Sequence, residues 1–138
     1  HIGSQGRDHL VGSKFDDEIF GAAGDDRLFG RRGADRLYGE SGNDILNGGS
    51  GTDRLDGGFG DDKLKGGLGA DAFVVSSGMD RMLDVRLAQG DRIEIASDVS
   101  YDLIKKGRNV RLIMEDGSET FIKNITIGGL ENGGLKIV

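Results

Sequence analysis

The fold is decided by Gly39-Glu-Ser-Gly-Asn-Asp-Ile-Leu-Asn47, which runs without a break into Gly48-Gly-Ser-Gly-Thr-Asp-Arg-Leu-Asp56 and Gly57-Gly-Phe-Gly-Asp-Asp-Lys-Leu-Lys65. Each nine-residue block has glycine at positions 1 and 4, aspartate at position 6 and leucine at position 8. Extended in both directions, the frame covers Gly3 to Leu83 in nine gapless blocks. Position 1 is glycine in the first eight. Position 4 is glycine in all but the second, where Phe15 stands. Position 6 is aspartate throughout: Asp8, Asp17, Asp26, Asp35, Asp44, Asp53, Asp62, Asp71 and Asp80. Position 8 is always large and apolar: Leu10, Ile19, Leu28, Leu37, Leu46, Leu55, Leu64, Phe73 and Met82. A fixed short period marks a solenoid, whose repeats bury their apolar residues only by stacking on one another.

Composition agrees. Glycine supplies 26 of 138 residues, well above the average of about 7%, with no proline and no cysteine. Of the 24 acidic residues 18 are aspartate, against 18 lysines and arginines, for a net charge of −6. Without cysteine there are no disulfides or thiolate zinc sites, and a bound metal is the alternative staple for a small extracellular domain. The blocks resemble G-G-x-G-x-D-x-U-x, the nonapeptide of the RTX (repeats-in-toxin) family, over Gly3 to about Leu83. The resemblance implies an all-β, right-handed parallel β-roll with 18 residues per coil, folded around Ca²⁺.

In such a roll two blocks complete one coil and block k stacks on block k+2. Positions 7 to 9 form the strand, so position 8 points inward and its neighbours outward. The first six positions turn, with glycine where φ is positive or the backbone passes close to the ion. Asp8, Asp26, Asp44, Asp62 and Asp80 then line one edge, and Asp17, Asp35, Asp53 and Asp71 the other. Carboxylates stacked at a strand spacing of about 4.8 Å repel unless a cation lies between them. Ca²⁺ suits the gap, because it takes about six to eight oxygen ligands at about 2.4 Å in flexible geometry.

The resemblance further implies that the backbone carbonyls of positions 2 and 4 join the carboxylates. Here they come from Ala22 and Gly24, Arg31 and Gly33, Glu40 and Gly42, Gly49 and Gly51, Gly58 and Gly60, and Gly67 and Gly69. Nine turns allow at most seven stacked pairs, and five or six ions are expected. The acids and amide at position 5 (Asp16, Asp25, Asn43, Asp61) are expected to face solvent. From Gly3 to Val74 the chain carries 14 acidic and 9 basic residues, so without metal the array is expected to be largely disordered, with binding energy serving as folding energy.

Residues 1–83 are read as the roll and 84–138 as a β-rich C-terminal cap. Asp91 to Ile95 alternates like a half-buried strand. Asn109–Met114 and Glu119–Ile122 flank an Asp-Gly turn and read as a hairpin. The resemblance also implies an uncleaved secretion signal in the C-terminal region, whose end is read at Leu135–Val138. The chain is read as a fragment, with an effector domain expected upstream and secretion from a Gram-negative bacterium by the type I route. No signal peptide or membrane-spanning stretch is visible. Catalysis is disfavoured, since the only histidines are His1 and His9 and the common hydrolase and phosphate-binding motifs are absent. The acidic balance disfavours nucleic acid. An alternative role is binding of an acidic polysaccharide through outward basic and aromatic residues: Arg27, Phe29, Lys63, Lys65 and Arg81 on one face, Phe20, Arg36, Tyr38 and Arg54 on the other.

Overall fold

A computed structural model describes residues 1–137. The nine blocks supply nine strands: β1 (His9–Val11), β2 (Glu18–Phe20), β3 (Arg27–Arg32), β4 (Arg36–Tyr38), β5 (Ile45–Ser50), β6 (Arg54–Asp56), β7 (Lys63–Leu68), β8 (Ala72–Val74) and β9 (Met79–Met82). Odd strands pair in parallel in one sheet and even strands in the other, always 18 residues apart. Leu28, Leu46, Leu64 and Met82 thus form one inward rank, and Leu37, Leu55 and Phe73 the facing rank. All are fully buried, as is Ile19, whereas Leu10 at the open end is only half-buried. The chain is a parallel β-solenoid of about five turns.

Two details depart from three-residue strands separated by turns. β3, β5 and β7 continue through positions 1 to 3 of the next block, pairing Arg31 with Gly49 and Gly49 with Gly67. On the opposite edge the same positions make only single bridges, through Ala23, Ser41, Phe59 and Ser77. The second detail concerns position 1. Its glycines do not have positive φ among the described residues. Glycine is required there for space: a Cβ on Gly39 would overlap Asp44 Oδ2 and the Gly57 carbonyl one coil on. Position 4 needs glycine for both reasons, as at Gly42, whose φ is +132° and whose Cβ would strike the Gly24 carbonyl.

The solenoid does not stop at Leu83. β10 (Arg92–Ile95) stacks on β8 after a 3₁₀ turn at Leu87–Gln89. β13 (Glu119–Ile122) stacks on β9. β11 (Tyr101–Lys106), β12 (Asn109–Met114) and β13 form an antiparallel meander, so the expected hairpin is present. Its turn is held by Gly117 at φ +89° and by the Ser118 N–H donating to Asp116 Oδ1 at 2.8 Å. β14 (Leu135–Ile137) closes the even sheet beside β10, while Val138 lies outside the described residues. Val85, Ile93, Val110, Ile122, Ile125 and Leu130 extend the core of the roll, and Ile95, Leu112 and Met114 form a smaller cluster. No helix among the described residues is long and apolar enough to cross a membrane.

Candidate metal centre

Each position-6 aspartate turns inward at the end of its turn, where the strand begins, and its two oxygens have separate environments. Oδ1 accepts the backbone N–H of the aspartate one coil earlier. Asp8 thus donates to Asp26 at 2.7 Å, Asp17 to Asp35 at 2.8 Å, Asp26 to Asp44 at 2.8 Å and Asp35 to Asp53 at 2.9 Å. The ladder continues through Asp62, Asp71 and Asp80 at 2.8, 2.9 and 3.0 Å. The carboxylates are therefore stacked along two edges, as the period requires.

Oδ2 divides the turns into two kinds. In Asp26, Asp35, Asp44, Asp53, Asp62 and Asp71 it is buried without any hydrogen-bond partner. A buried, unpartnered carboxylate oxygen is expensive unless a cation meets it. In Asp17 it accepts the Ser13 N–H at 2.6 Å and hydroxyl at 2.8 Å; in Asp8 it accepts the same pair from Ser4 at 2.6 and 2.9 Å. In Asp80 it accepts the Ser76 hydroxyl at 2.8 Å. Serine stands at position 2 in those three blocks and in no other.

The backbone follows the same division. In the six turns with an unpartnered Oδ2, positions 2 and 4 both hold left-handed φ, even where position 2 is Ala22 (+78°), Arg31 (+84°) or Glu40 (+74°). Neither position does so in the first two turns, and only Gly78 does in the ninth. The carbonyls of Gly24, Gly33, Gly42, Gly51, Gly60 and Gly69 accept no hydrogen bond among the described residues. Those of Ala22 and Glu40 accept one N–H each, from Ser41 at 3.0 Å and Phe59 at 2.7 Å, leaving a second lone pair. No three acidic or imidazole side chains converge among the described residues, so any ligands beyond the carboxylates have to be carbonyls. That donor set, all hard oxygen with few charges per gap, fits Ca²⁺.

Electrostatics follow burial along the roll. Burial pushes the carboxyls of Asp44 and Asp53 up to about 6 and those of Asp62 and Asp71 up to about 7, with neighbouring acids adding to the shift. Asp26 and Asp35 are raised for the same reason. Asp80 is also pushed by burial to about 6, whereas the Ser13 N–H and hydroxyl hold Asp17 below the usual carboxylate range.

Three sets of residues act in ways the period does not announce. Position 5 is exposed as expected but forms a ladder of its own in the opposite sense. Asp16, Asp25, Asn43 and Asp61 accept the N–H of Ala34, Asn43, Asp61 and Met79 one coil later, at 2.8 to 3.0 Å. Asp91 takes the place of a tenth position-6 aspartate, accepting the Asp71 N–H at 2.8 Å from 20 residues away, and burial raises its pKa. Asp84 accepts the N–H groups of Gly66 and Gly67 at 2.8 and 2.9 Å.

A parallel β-roll whose turns stack unpartnered carboxylates over carbonyls with lone pairs to spare has the donor set of a metal-binding repeat module. The sequence matches the RTX calcium-binding nonapeptide repeat in four overlapping copies, over residues 2–37, 23–55, 38–73 and 48–81. The chain belongs to that family and is an RTX calcium-binding repeat module. No curated protein matches it. Among solved structures it is similar to the extracellular lipase LipA from Serratia marcescens, with 16% identity and a TM-score of 0.61 over 99% of this chain. The chain spans 39% of that lipase, and the likeness concerns the fold. The AlgE6R2 and AlgE6R3 subunits of the Azotobacter vinelandii mannuronan C5-epimerase align at 25% and 26% identity. They cover 91% and 99% of this chain and 90% and 80% of their own, with TM-scores of 0.37 and 0.35.

Proposed function

We propose that this module folds on calcium, with the ions held between stacked turns by Asp26, Asp35, Asp44, Asp53, Asp62 and Asp71. The carbonyls of positions 2 and 4, from Ala22 and Gly24 through Gly67 and Gly69, complete the ligands. The carrying observation is the set of six buried Oδ2 atoms without partners, in the six turns with left-handed φ at both positions. Four gaps lie between two such turns (third and fifth, fourth and sixth, fifth and seventh, sixth and eighth). The end gaps have one such turn each and bind more weakly. Five or six ions therefore remain the reading for a loaded chain. Asp8, Asp17 and Asp80 act in the Oδ1 ladder and in serine caps, and contribute little to metal binding.

In this reading the chain is a folding and secretion module, residues 1–83 forming the roll and 84–138 its cap, appended to an upstream effector that carries any catalysis. The protein is exported by the type I route with the roll unfolded, and folds in a calcium-rich medium. Extracellular calcium modules bind at about 10⁻⁴–10⁻³ M, above cytosolic calcium. The test is a calcium titration of chelator-treated protein followed by far-ultraviolet circular dichroism, with magnesium as control. A cooperative gain of β-signal with calcium alone is expected. A calcium-free spectrum already folded and indifferent to the ion would overturn the proposal.

A second reading, polyanion binding, is favoured on the odd face at one place. Lys63 pairs laterally with Arg81 and Arg81 with Phe121; beyond them Arg111 lies 5.0 Å from the Phe121 ring and is engaged by Glu119 at 3.2 Å. Directly opposed like charges are unfavourable in a sheet unless an anion joins them. Arg27 is set apart from this row by Ile45. On the even face Arg54 and Arg92 are engaged by Glu94, at 3.5 and 3.2 Å. An acidic polysaccharide that binds the loaded protein and is released by Lys63→Ala with Lys65→Ala would support this reading; unchanged binding would sink it.

A further inference from the structure

The edge that carries the even turns also has a depression of about 480 Å³, lined by Ser13, Lys14, Arg31, Arg32, Gly49 and Ser50. Its size falls within the range of small-molecule sites, about 300–1,000 Å³. Lys14 and Arg32 are the position-3 residues of the second and fourth turns and Arg31 is the position-2 residue of the fourth. Gly49 and Ser50, one coil on from Arg31 and Arg32, complete the lining. All three cations are exposed, none makes a salt bridge among the described residues, and no acidic side chain lines the depression. In a chain of net charge −6, three unpaired cations converging on one hollow form a local field opposite to that of the molecule.

Folding alone does not favour this arrangement. Arg31 holds φ +84° at a position where the sixth and eighth turns have glycine, and a non-glycine residue there is strained. Ala22 and Glu40 share that conformation, so strain by itself does not mark Arg31; its convergence with Arg32 and Lys14 does. Beside the depression stands Phe15, the one departure from glycine at position 4, with 67% of its surface exposed and Lys14 Nζ 5.3 Å from its ring. A guanidinium fork recognises a planar oxyanion, and an exposed ring accepts a flat apolar face.

We propose that this depression is an oxyanion site. It takes a carboxylate, sulfate or phosphate carried on a compact body that lies against Phe15, with Arg31 and Arg32 as the anion-binding forks. A long polyphosphate is not the ligand: nucleic acid brings one charge per about 1.7 Å of duplex, and would have to pass over the exposed Asp16 and Glu18.

The test is calorimetric titration of the calcium-loaded protein with sulfate, glucuronate and adenosine monophosphate in parallel. Binding of sulfate is expected, with tighter binding of whichever organic anion matches the Phe15 ring. That arm distinguishes an acidic sugar from a nucleotide source. Arg31→Gly should weaken anion binding about tenfold or more. Arg32→Ala should weaken binding comparably with no change in fold. No binding by any of the three anions, or binding that survives both substitutions, overturns the site. Organic anions no tighter than sulfate would remove Phe15 from it.

Discussion

The nine turns share one motif and one aspartate, yet the six central turns and the three terminal ones handle that aspartate differently. Centrally, Oδ2 is buried and unpartnered above a turn with two left-handed positions. Terminally, a serine at position 2 donates its hydroxyl to Oδ2, and at least one of the two positions keeps an ordinary φ. A hydroxyl and a calcium ion are alternative answers to one unsatisfied oxygen. In the proposed reading, what makes a turn ready for metal is the residue at position 2, not the aspartate at position 6. The cap completes the terminal pattern: the Glu119 N–H donates to the Gly78 carbonyl at 2.8 Å, and Gly78 N–H donates to Ser118 Oγ at 3.0 Å. The last turn is sealed by protein groups where central turns stay open.

The largest test of this contrast uses the core beneath it. Leu46→Ala removes a fully buried side chain and should destabilise the calcium-loaded roll by about 2–5 kcal/mol. Leu10→Ala, at the half-buried end, should cost well under half as much. Chemical denaturation in saturating calcium measures both.

Next in size, Asp44→Ala strips a carboxylate whose turn borders two complete gaps, and should raise the calcium midpoint about tenfold or more. Asp8→Ala should shift it less than about twofold on the same grounds. Equal effects in the two variants would erase the distinction between central and terminal turns.

Acidity should then separate the calcium-free from the loaded state. The carboxyls of Asp44, Asp53, Asp62 and Asp71 titrate near 6 to 7 in the fold, against 3.8 as the ordinary value. Protonation therefore favours the calcium-free fold. Its contribution is complete below the ordinary value and is lost as pH rises through 6 to 7. Calcium requires the ionised form, so apparent calcium affinity should fall as pH drops through the same interval. Dichroism of chelated protein at pH 4 and pH 8, with calcium midpoints at pH 8 and pH 5.5, checks both signs.

The smallest effect is constructive. Ser13→Gly together with Phe15→Gly removes the hydroxyl from Asp17 Oδ2 and allows left-handed φ at both positions, the backbone in which the central turns leave Oδ2 without an N–H donor. The double variant should bind one further equivalent of calcium by equilibrium dialysis, with little change in melting temperature.

Most of the fold was legible because a nine-residue period converts directly into stacking. Once Leu28, Leu46 and Leu64 are known to share a face, Asp26, Asp44 and Asp62 must share an edge. The hairpin was legible from Asp116-Gly117 between alternating segments. What escaped notice depended on contacts between coils. Serine at position 2 looks like any turn residue until its hydroxyl is seen on the carboxylate. Position-1 glycine suggests an unusual φ, when the cause is crowding by the aspartate five residues on. Asp91 was hidden by a two-residue insertion that breaks the period while keeping the ladder. The position-5 ladder was missed because exposure suggested solvent and nothing else.

The alternation of strands between two sheets has a further consequence, a matter of parity. β9 carries β13 and β8 carries β10, so the two ends of the cap dock on different sheets. Adding or deleting a single nonapeptide would send every later turn to the opposite edge. It would exchange the outward faces beyond that point and present the cap with the wrong sheet at each dock. A pair of nonapeptides leaves all of these relations intact. A roll of this design can lengthen or shorten only in steps of 18 residues.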